Sequence, residues 1–119
     1  MGRLWRAFFY SMAGLRDAWR EPACRLEIYI LIIAVPAAFA LAFGVVERLL
    51  LIGSVVAILV VEVLNTSVEA AIDRIGPERN ELSRAAKDLG SAAVFIASLM
   101  AGAVWLFIAG PVFIGLFGR

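Results

Sequence analysis

Four polar side chains interrupt an otherwise apolar stretch in the middle of the chain, over residues 60–74. They are Glu62, Asn65, Glu69 and Asp73. A helix turns about 100° per residue, so this spacing places all four on one face. A carboxylate near the centre of a bilayer costs about 2.5–3.5 kcal/mol on insertion scales. Such side chains can be helix-packing contacts, but two carboxylates aligned with an amide favour a reaction or ion site at the membrane face.

The depths of these side chains suggest separate chemical roles. Glu62 lies two turns from Glu69, about 10 Å along the helix axis. Partly desolvated at the deeper end, Glu62 could accept a proton from a hydroxyl at the level of the lipid headgroups. At the shallow end, carboxylates such as Glu21 and Glu69 could hold Mg²⁺, which usually takes one or two protein carboxylates plus phosphate oxygens. Lys87 could bind phosphates as a point charge, and this division of labour suits phosphoryl transfer.

Composition limits the class of protein and the available chemistry. The chain has 119 residues, of which 63% are hydrophobic and 18% charged, as expected of one membrane domain covering residues 1–119. The net charge is +1 and no basic run is present, so no nucleic-acid partner is predicted. Cys24 is the only cysteine and histidine is absent. An intrachain disulfide and a thiolate-based metal cluster are therefore excluded, and catalysis would depend on carboxylates, lysine, hydroxyls and a hard cation.

The apolar pattern predicts an all-α integral membrane protein with an N-terminal amphipathic surface helix and three transmembrane helices. The interfacial helix is expected within residues 1–22, where aromatic and apolar side chains recur at helical spacing with arginines at the edges. Residues 4–10 are too short and interrupted for a signal peptide, so none is expected. The transmembrane helices are predicted at about 26–46, 49–73 and 86–109.

Turn-forming residues set the expected ends of these helices. Pro22 should end or bend the surface helix, and Pro36 should kink the first transmembrane helix. Glu47-Arg48 is read as the turn that follows it. Gly76-Pro77 and Gly110-Pro111 are predicted to end the second and third transmembrane helices. Asn80 is a candidate N-cap for the helix that begins in the charged connection.

The distribution of basic residues predicts the orientation of the chain. Nine of the eleven Arg and Lys residues precede the first span or lie between the second and third, against Arg48 and Arg119 on the other side. The positive-inside rule then places the N-terminus and the 73–88 loop in the cytoplasm, with the C-terminus in the periplasm. From spacing alone, the sequence indicates an acidic intramembrane site with a cytoplasmic basic partner. Such a site could belong to an enzyme or to a small ion-coupled membrane transporter.

Two segments resemble a known family. VVEVLNTSVEAAIDRIG followed by NELSRAAKDLGSAA is similar to the signature of the prokaryotic diacylglycerol kinases, E-x-L-N-[ST]-x-x-E-x-x-x-D-R and then A-K-D-x-[GA]-[SA]-A. The upstream GLRDAWREPACRLE resembles the interfacial segment of that family, and the resemblance extends from Arg3 to about Leu106. It implies a homotrimeric helical bundle in the bacterial cytoplasmic (inner) membrane, with active sites shared between subunits. Such a protein uses ATP and Mg²⁺ to convert diacylglycerol to phosphatidic acid.

The resemblance also assigns roles by position. Glu62 corresponds to the general base, and Asn65 to a residue that helps to arrange the catalytic site. Glu21 and Glu69 correspond to the ligands of the metal carried with ATP. The implied nucleotide contacts are Tyr10, Glu21, Glu69, Asp73, Glu78, Arg79, Asn80, Lys87 and Asp88. The implied lipid contacts are Arg3, Glu27, Arg48, Glu62 and Ser91.

The identity of the lipid is a separate question. Some relatives in this family phosphorylate undecaprenol, a polyprenyl alcohol, with much the same motif. The interfacial segment and the run AKDLGSAA resemble the diacylglycerol kinases of Gram-negative bacteria. Diacylglycerol is therefore the expected substrate and undecaprenol the alternative.

Overall fold

The structure is a computed structural model that describes residues 2–118. Within these residues the chain forms four α-helices: α1 (Arg3–Arg20), α2 (Pro22–Leu41), α3 (Val45–Ile75) and α4 (Glu81–Phe117). The last three are long and apolar enough to cross a bilayer. The predicted all-α class with three helices of spanning length is therefore confirmed. Met1 lies outside the described residues, as does Arg119, which entered the prediction of orientation.

α1 and α2 are separated by a single extended residue. Glu21 has φ −82° and ψ 123°, and Pro22 is the first residue of α2. The ring of proline fixes a backbone angle that suits the first helical position, where the missing N–H is not needed. Trp19 contacts Tyr29 at 5.6 Å between ring centroids, and the Arg25 guanidinium lies 5.9 Å from the Trp19 ring. These contacts hold the end of α1 against α2.

The connection between α2 and α3 lies earlier than predicted. Residues 42–44 form it, and Glu47 and Arg48 belong to the first turn of α3, so the predicted turn at Glu47-Arg48 is wrong. Arg48 Nε donates to the Ala42 carbonyl at 2.9 Å, and its guanidinium lies 5.0 Å from the Phe39 ring. Arg48 thus satisfies a carbonyl at the end of α2, while the Glu47 carboxylate suits the positive end of α3.

Both internal prolines lie within continuous helices. Pro36 is inside α2, which extends to Leu41, and Pro111 is inside α4, which extends to Phe117. The predicted end of the third transmembrane helix at Gly110-Pro111 is therefore wrong. A proline removes one backbone donor. An apolar helix in a membrane tolerates this loss, because ending the helix there would leave several more backbone groups unpaired in lipid.

The buried core lies at the 42–44 end of the bundle. Ala38, Ala42, Leu51 and Ala109 form it, and small side chains allow the three helices to approach. Trp105 Nε1 donates to the Leu51 carbonyl at 3.0 Å and fixes α4 against α3. The opposite end, which carries the polar face of α3, holds no fully buried charged side chain among residues 2–118.

The connection between α3 and α4 has the predicted ends. α3 ends at Gly76, whose φ of 147° favours glycine. Asn80 precedes α4, and its Oδ1 accepts from the backbone N–H groups of Leu82 at 2.9 Å and Ser83 at 3.2 Å. Both predictions are confirmed, and together they fix a short polar loop between the two longest helices.

Candidate active site

The predicted polar face lies on one uninterrupted helix. Glu62, Asn65 and Glu69 of α3 are half-buried, and Asp73 is exposed near the helix end. Asn65 Nδ2 donates to Glu69 Oε1 at 3.3 Å. The amide therefore orients Glu69, one of the three carboxylates on this face.

α2 brings a further carboxylate, Glu27, to the deeper part of this face. Glu27 is half-buried and lies on the side of α2 near Glu62. Its Oε2 is buried and accepts no hydrogen bond from any residue in the range 2–118. Buried acceptors are normally paired, so this end of the site has the chemistry to receive a hydroxyl donor.

α4 supplies the cationic side of the site. Lys87 Nζ lies 3.2 Å from Asp73 Oδ1, which links α4 to the end of α3. Arg84 pairs with Asp88 at 2.6 Å and with Glu81 at 2.7 Å. These pairs are largely exposed and contribute little stability. Their cations are therefore accessible to an anion that competes with the neighbouring carboxylates.

A cavity of about 680 Å³ lies between the end of α3, the loop and the start of α4. Its volume is within the range of small-molecule sites, about 300–1,000 Å³. The structure thus brings together five of the residues predicted to contact a nucleotide. Those residues are Asp73, Glu78, Arg79, Asn80 and Lys87.

Asn80 has a structural role at this cavity as well. Its side-chain oxygen accepts two backbone hydrogen bonds at the start of α4. Only the amide nitrogen and the backbone of Asn80 are therefore free to face the cavity.

Several predicted residues lie elsewhere in the single chain. Arg3 and Tyr10 share a shallow depression of about 250 Å³ on α1, and neither lines the 680 Å³ cavity. Glu21 is exposed at the break between α1 and α2, and Ser91 is exposed on α4. Arg48 lies at the opposite end of α3, where it closes the 42–44 turn.

Two residues of the site were missed by the sequence analysis. Arg84 lines the cavity and holds Asp88; its spacing of three from Glu81 and four from Asp88 is the signal that could have found it. Gly90 lies against Asn65 of α3, where an added Cβ would clash with Asn65 Oδ1. A glycine inside a helix often marks such an approach.

Comparison with known proteins gives one consistent result. The model of the family described as prokaryotic diacylglycerol kinase matches residues 9–109, a range that contains every predicted site residue except Arg3. The chain is 47% identical over 104 residues to a diacylglycerol kinase of Escherichia coli, covering 87% of this chain and 85% of that protein. A diacylglycerol kinase of Haemophilus influenzae is 46% identical over 97 residues, covering 81% and 82%. One of Pseudomonas aeruginosa is 40% identical over 104 residues, covering 87% and 85%.

Proposed function

Because the chain belongs to the prokaryotic diacylglycerol kinase family, we propose that it transfers the γ-phosphoryl group of ATP to the free hydroxyl of diacylglycerol. The products are phosphatidic acid and ADP. The observation that carries this proposal is the junction of α3 and α4. There the Asn65–Glu69 hydrogen bond and the Lys87–Asp73 ion pair lie on a polar face that continues into the 680 Å³ cavity. An oriented carboxylate and an accessible ammonium are the groups that phosphoryl transfer requires.

The cavity is the proposed nucleotide site. Lys87 binds the phosphates of ATP in place of Asp73, since its ammonium is exposed and the existing pair is weak. Glu78, Arg79 and Asn80 form the rim of the site, and Asp88, held by Arg84, adds a further polar contact. Tyr10 of α1 is proposed to reach the same nucleotide.

Glu69 and Glu21 are the proposed ligands of the Mg²⁺ that accompanies ATP. Glu69 receives the Asn65 hydrogen bond at Oε1, and its oxygens are the hard donors that Mg²⁺ prefers. Among residues 2–118, no group of three or more carboxylate or cysteine ligands converges. The nucleotide phosphates would therefore supply most of the remaining ligands. When bound, the cation neutralises charge on the transferring phosphoryl group.

Glu62 is the proposed general base. It lies about 10 Å deeper along α3 than Glu69, beside the half-buried Glu27. The lipid hydroxyl gives its proton to the Glu62 carboxylate as its oxygen bonds to the γ-phosphorus, and the bond from that phosphorus to the bridging oxygen of ADP breaks. The proposed lipid contacts are Glu27, Ser91 and Arg3. Asn65 is proposed to orient the carboxylates of the catalytic site. Arg48 is proposed to contact a part of the lipid at the opposite end of α3, where it closes the 42–44 turn.

We further propose that the active form is a homotrimer with shared sites. The chain is only 21 Å deep in its thinnest dimension, about the width of two packed helices. One chain therefore cannot enclose the polar face of α3 on every side, and neighbouring copies would complete it. Large apolar side chains are exposed on all three long helices, as lipid or subunit contact requires.

The proposed location is the bacterial inner membrane, with the active site and N-terminus cytoplasmic and the C-terminus periplasmic. The distribution of Arg and Lys supports this orientation, since nine of the eleven lie on the side that carries the site. α1 is proposed to lie in the interface, with exposed aromatic residues such as Trp5 and Phe8 toward the acyl chains.

The decisive experiment offers two lipids to the purified protein. Mixed micelles containing both diacylglycerol and undecaprenol are incubated with γ-labelled ATP, with and without Mg²⁺. The expected result is labelled phosphatidic acid, formed only with Mg²⁺. If undecaprenyl phosphate is labelled instead, the substrate is undecaprenol and the proposed phosphoryl transfer still holds. If no lipid is labelled and the protein instead carries ions across the membrane of proteoliposomes, the kinase proposal is wrong and the protein is a transporter.

A further inference from the structure

α3 and α4 meet inside the site at a residue that has no side chain. Gly90 of α4 faces Asn65 of α3. A Cβ added at Gly90 would clash with Asn65 Oδ1 and would lie 3.1 Å from its Cγ. Asn65 is a residue of the proposed catalytic site, so this contact bears on how that site is arranged.

The two ends of the Asn65 amide have different surroundings. Nδ2 donates to Glu69 Oε1 at 3.3 Å. Oδ1 is buried against Gly90 and accepts no hydrogen bond within residues 2–118. In the reverse orientation of the amide, Oδ1 would face the Glu69 carboxylate. Both groups are acceptors, so no hydrogen bond could form between them. The hydrogen bond to Glu69 thus depends on space for Oδ1, and the absence of a side chain at residue 90 provides that space.

From this geometry we infer that Gly90 is a positioning residue, which acts on the reaction through Asn65 and Glu69. It keeps the Asn65 amide in the orientation that aligns the Glu69 carboxylate. The inference rests on the proposed function, in which Glu69 is a ligand of the metal bound with ATP. Residues that orient a metal ligand typically change metal affinity or activity roughly 10- to 100-fold when they are altered.

Gly90→Ala tests the inference by adding one methyl group at the contact with Asn65. Alanine favours a helix more than glycine does. The variant should therefore keep α4 intact while the new methyl group displaces Asn65 Oδ1. The Mg²⁺ concentration that gives half-maximal phosphorylation of diacylglycerol should rise roughly 10- to 100-fold.

Gly115→Ala is the matched control. It makes the same change in the same helix, at a position where an added Cβ has no neighbour within 4 Å. Its activity and Mg²⁺ dependence should equal those of the wild type.

A second measurement tests the contact without using activity. The thermal midpoint is compared for Gly90→Ala in the wild-type background and in the Asn65→Ala background. The overlap exists only when Asn65 is present. Gly90→Ala should therefore lower the midpoint in the first background and leave it equal or higher in the second.

The outcomes separate this inference from the proposed function. A wild-type protein that phosphorylates no diacylglycerol overturns the function, while the thermal comparison still decides whether the contact exists. An active wild type with unchanged Mg²⁺ dependence in Gly90→Ala overturns the inference alone. Equal destabilisation by Gly90→Ala in both backgrounds also overturns it, because the effect would then not pass through Asn65.

Discussion

Replacing Lys87 with methionine separates two roles of its ammonium group. In the structure the group pairs with Asp73, and in the proposed mechanism it binds the phosphates of ATP. Lys87→Met removes both interactions. Asp73→Asn removes the ion pair, leaves the ammonium in place and keeps an oxygen at residue 73 for the predicted nucleotide contact, so the two variants form a matched set.

The structure gives the size of each effect. The Nζ–Oδ1 distance is 3.2 Å, and the two side chains are 47% and 71% exposed. An exposed pair of this kind contributes about 0–1 kcal/mol, so Asp73→Asn should change kcat/KM by no more than about fivefold. A hydrogen bond to a charged group contributes about 1.5–3 kcal/mol. Lys87→Met should therefore lower kcat/KM for ATP by roughly 10- to 150-fold.

The assay is labelled-phosphate transfer to diacylglycerol in mixed micelles, with ATP varied at saturating lipid and Mg²⁺. Thermal denaturation of both variants serves as the control, and both should unfold close to the wild-type midpoint. Equal losses of kcat/KM in Lys87→Met and Asp73→Asn would refute the reasoning, because the ion pair and not phosphate binding would then explain the activity of Lys87.

Three further results are expected. Asn80→Ala removes two side-chain hydrogen bonds at the start of α4 and should cost about 0.5–2 kcal/mol of stability. Asn80→Ser should retain most of that stability. Equal denaturation midpoints for the two variants would contradict the role of Asn80 as the N-cap. Trp105→Phe loses the hydrogen bond to the Leu51 carbonyl and should cost about 1 kcal/mol with unchanged turnover, since this contact lies at the opposite end of the bundle; a loss of turnover in a stable variant would contradict that separation. Removal of Mg²⁺ by EDTA should abolish transfer and Mg²⁺ should restore it, while activity in excess EDTA would exclude the proposed role of Glu69.

Local chemistry at the chain's turns was partly readable from the sequence. Gly76 was predictable because the residue after the C-terminus of a helix often has a positive φ, which glycine tolerates. Asn80 was predictable because the N-terminus of a helix needs a side-chain acceptor for its free N–H groups. Pro111 was misleading, because the usual rule that proline ends a helix assumes that water can satisfy the freed backbone groups. Glu47 and Arg48 were misleading for another reason: charged residues at a membrane face can begin a helix and cap the preceding one.

Within the candidate site, the sequence predicted contacts along a helix better than contacts between helices. The Asn65–Glu69 bond follows from a spacing of four residues on one helix. The approach of Gly90 to Asn65 depends on how α4 is placed against α3, which helical periodicity does not determine. The position of Glu21 relative to the α3 carboxylates depends, in the proposed trimer, on packing between chains, which helical periodicity does not determine either.

The most direct test of the central claim is the turnover of Glu62→Gln. The substitution keeps the size of the side chain and removes the group that accepts the proton. The variant should assemble as the wild type does and bind ATP with Mg²⁺ at unchanged affinity. Its turnover with diacylglycerol should fall by about 10²- to 10⁴-fold, the usual contribution of a general base. Turnover equal to that of the wild type would contradict the account, because the lipid hydroxyl would then lose its proton without Glu62.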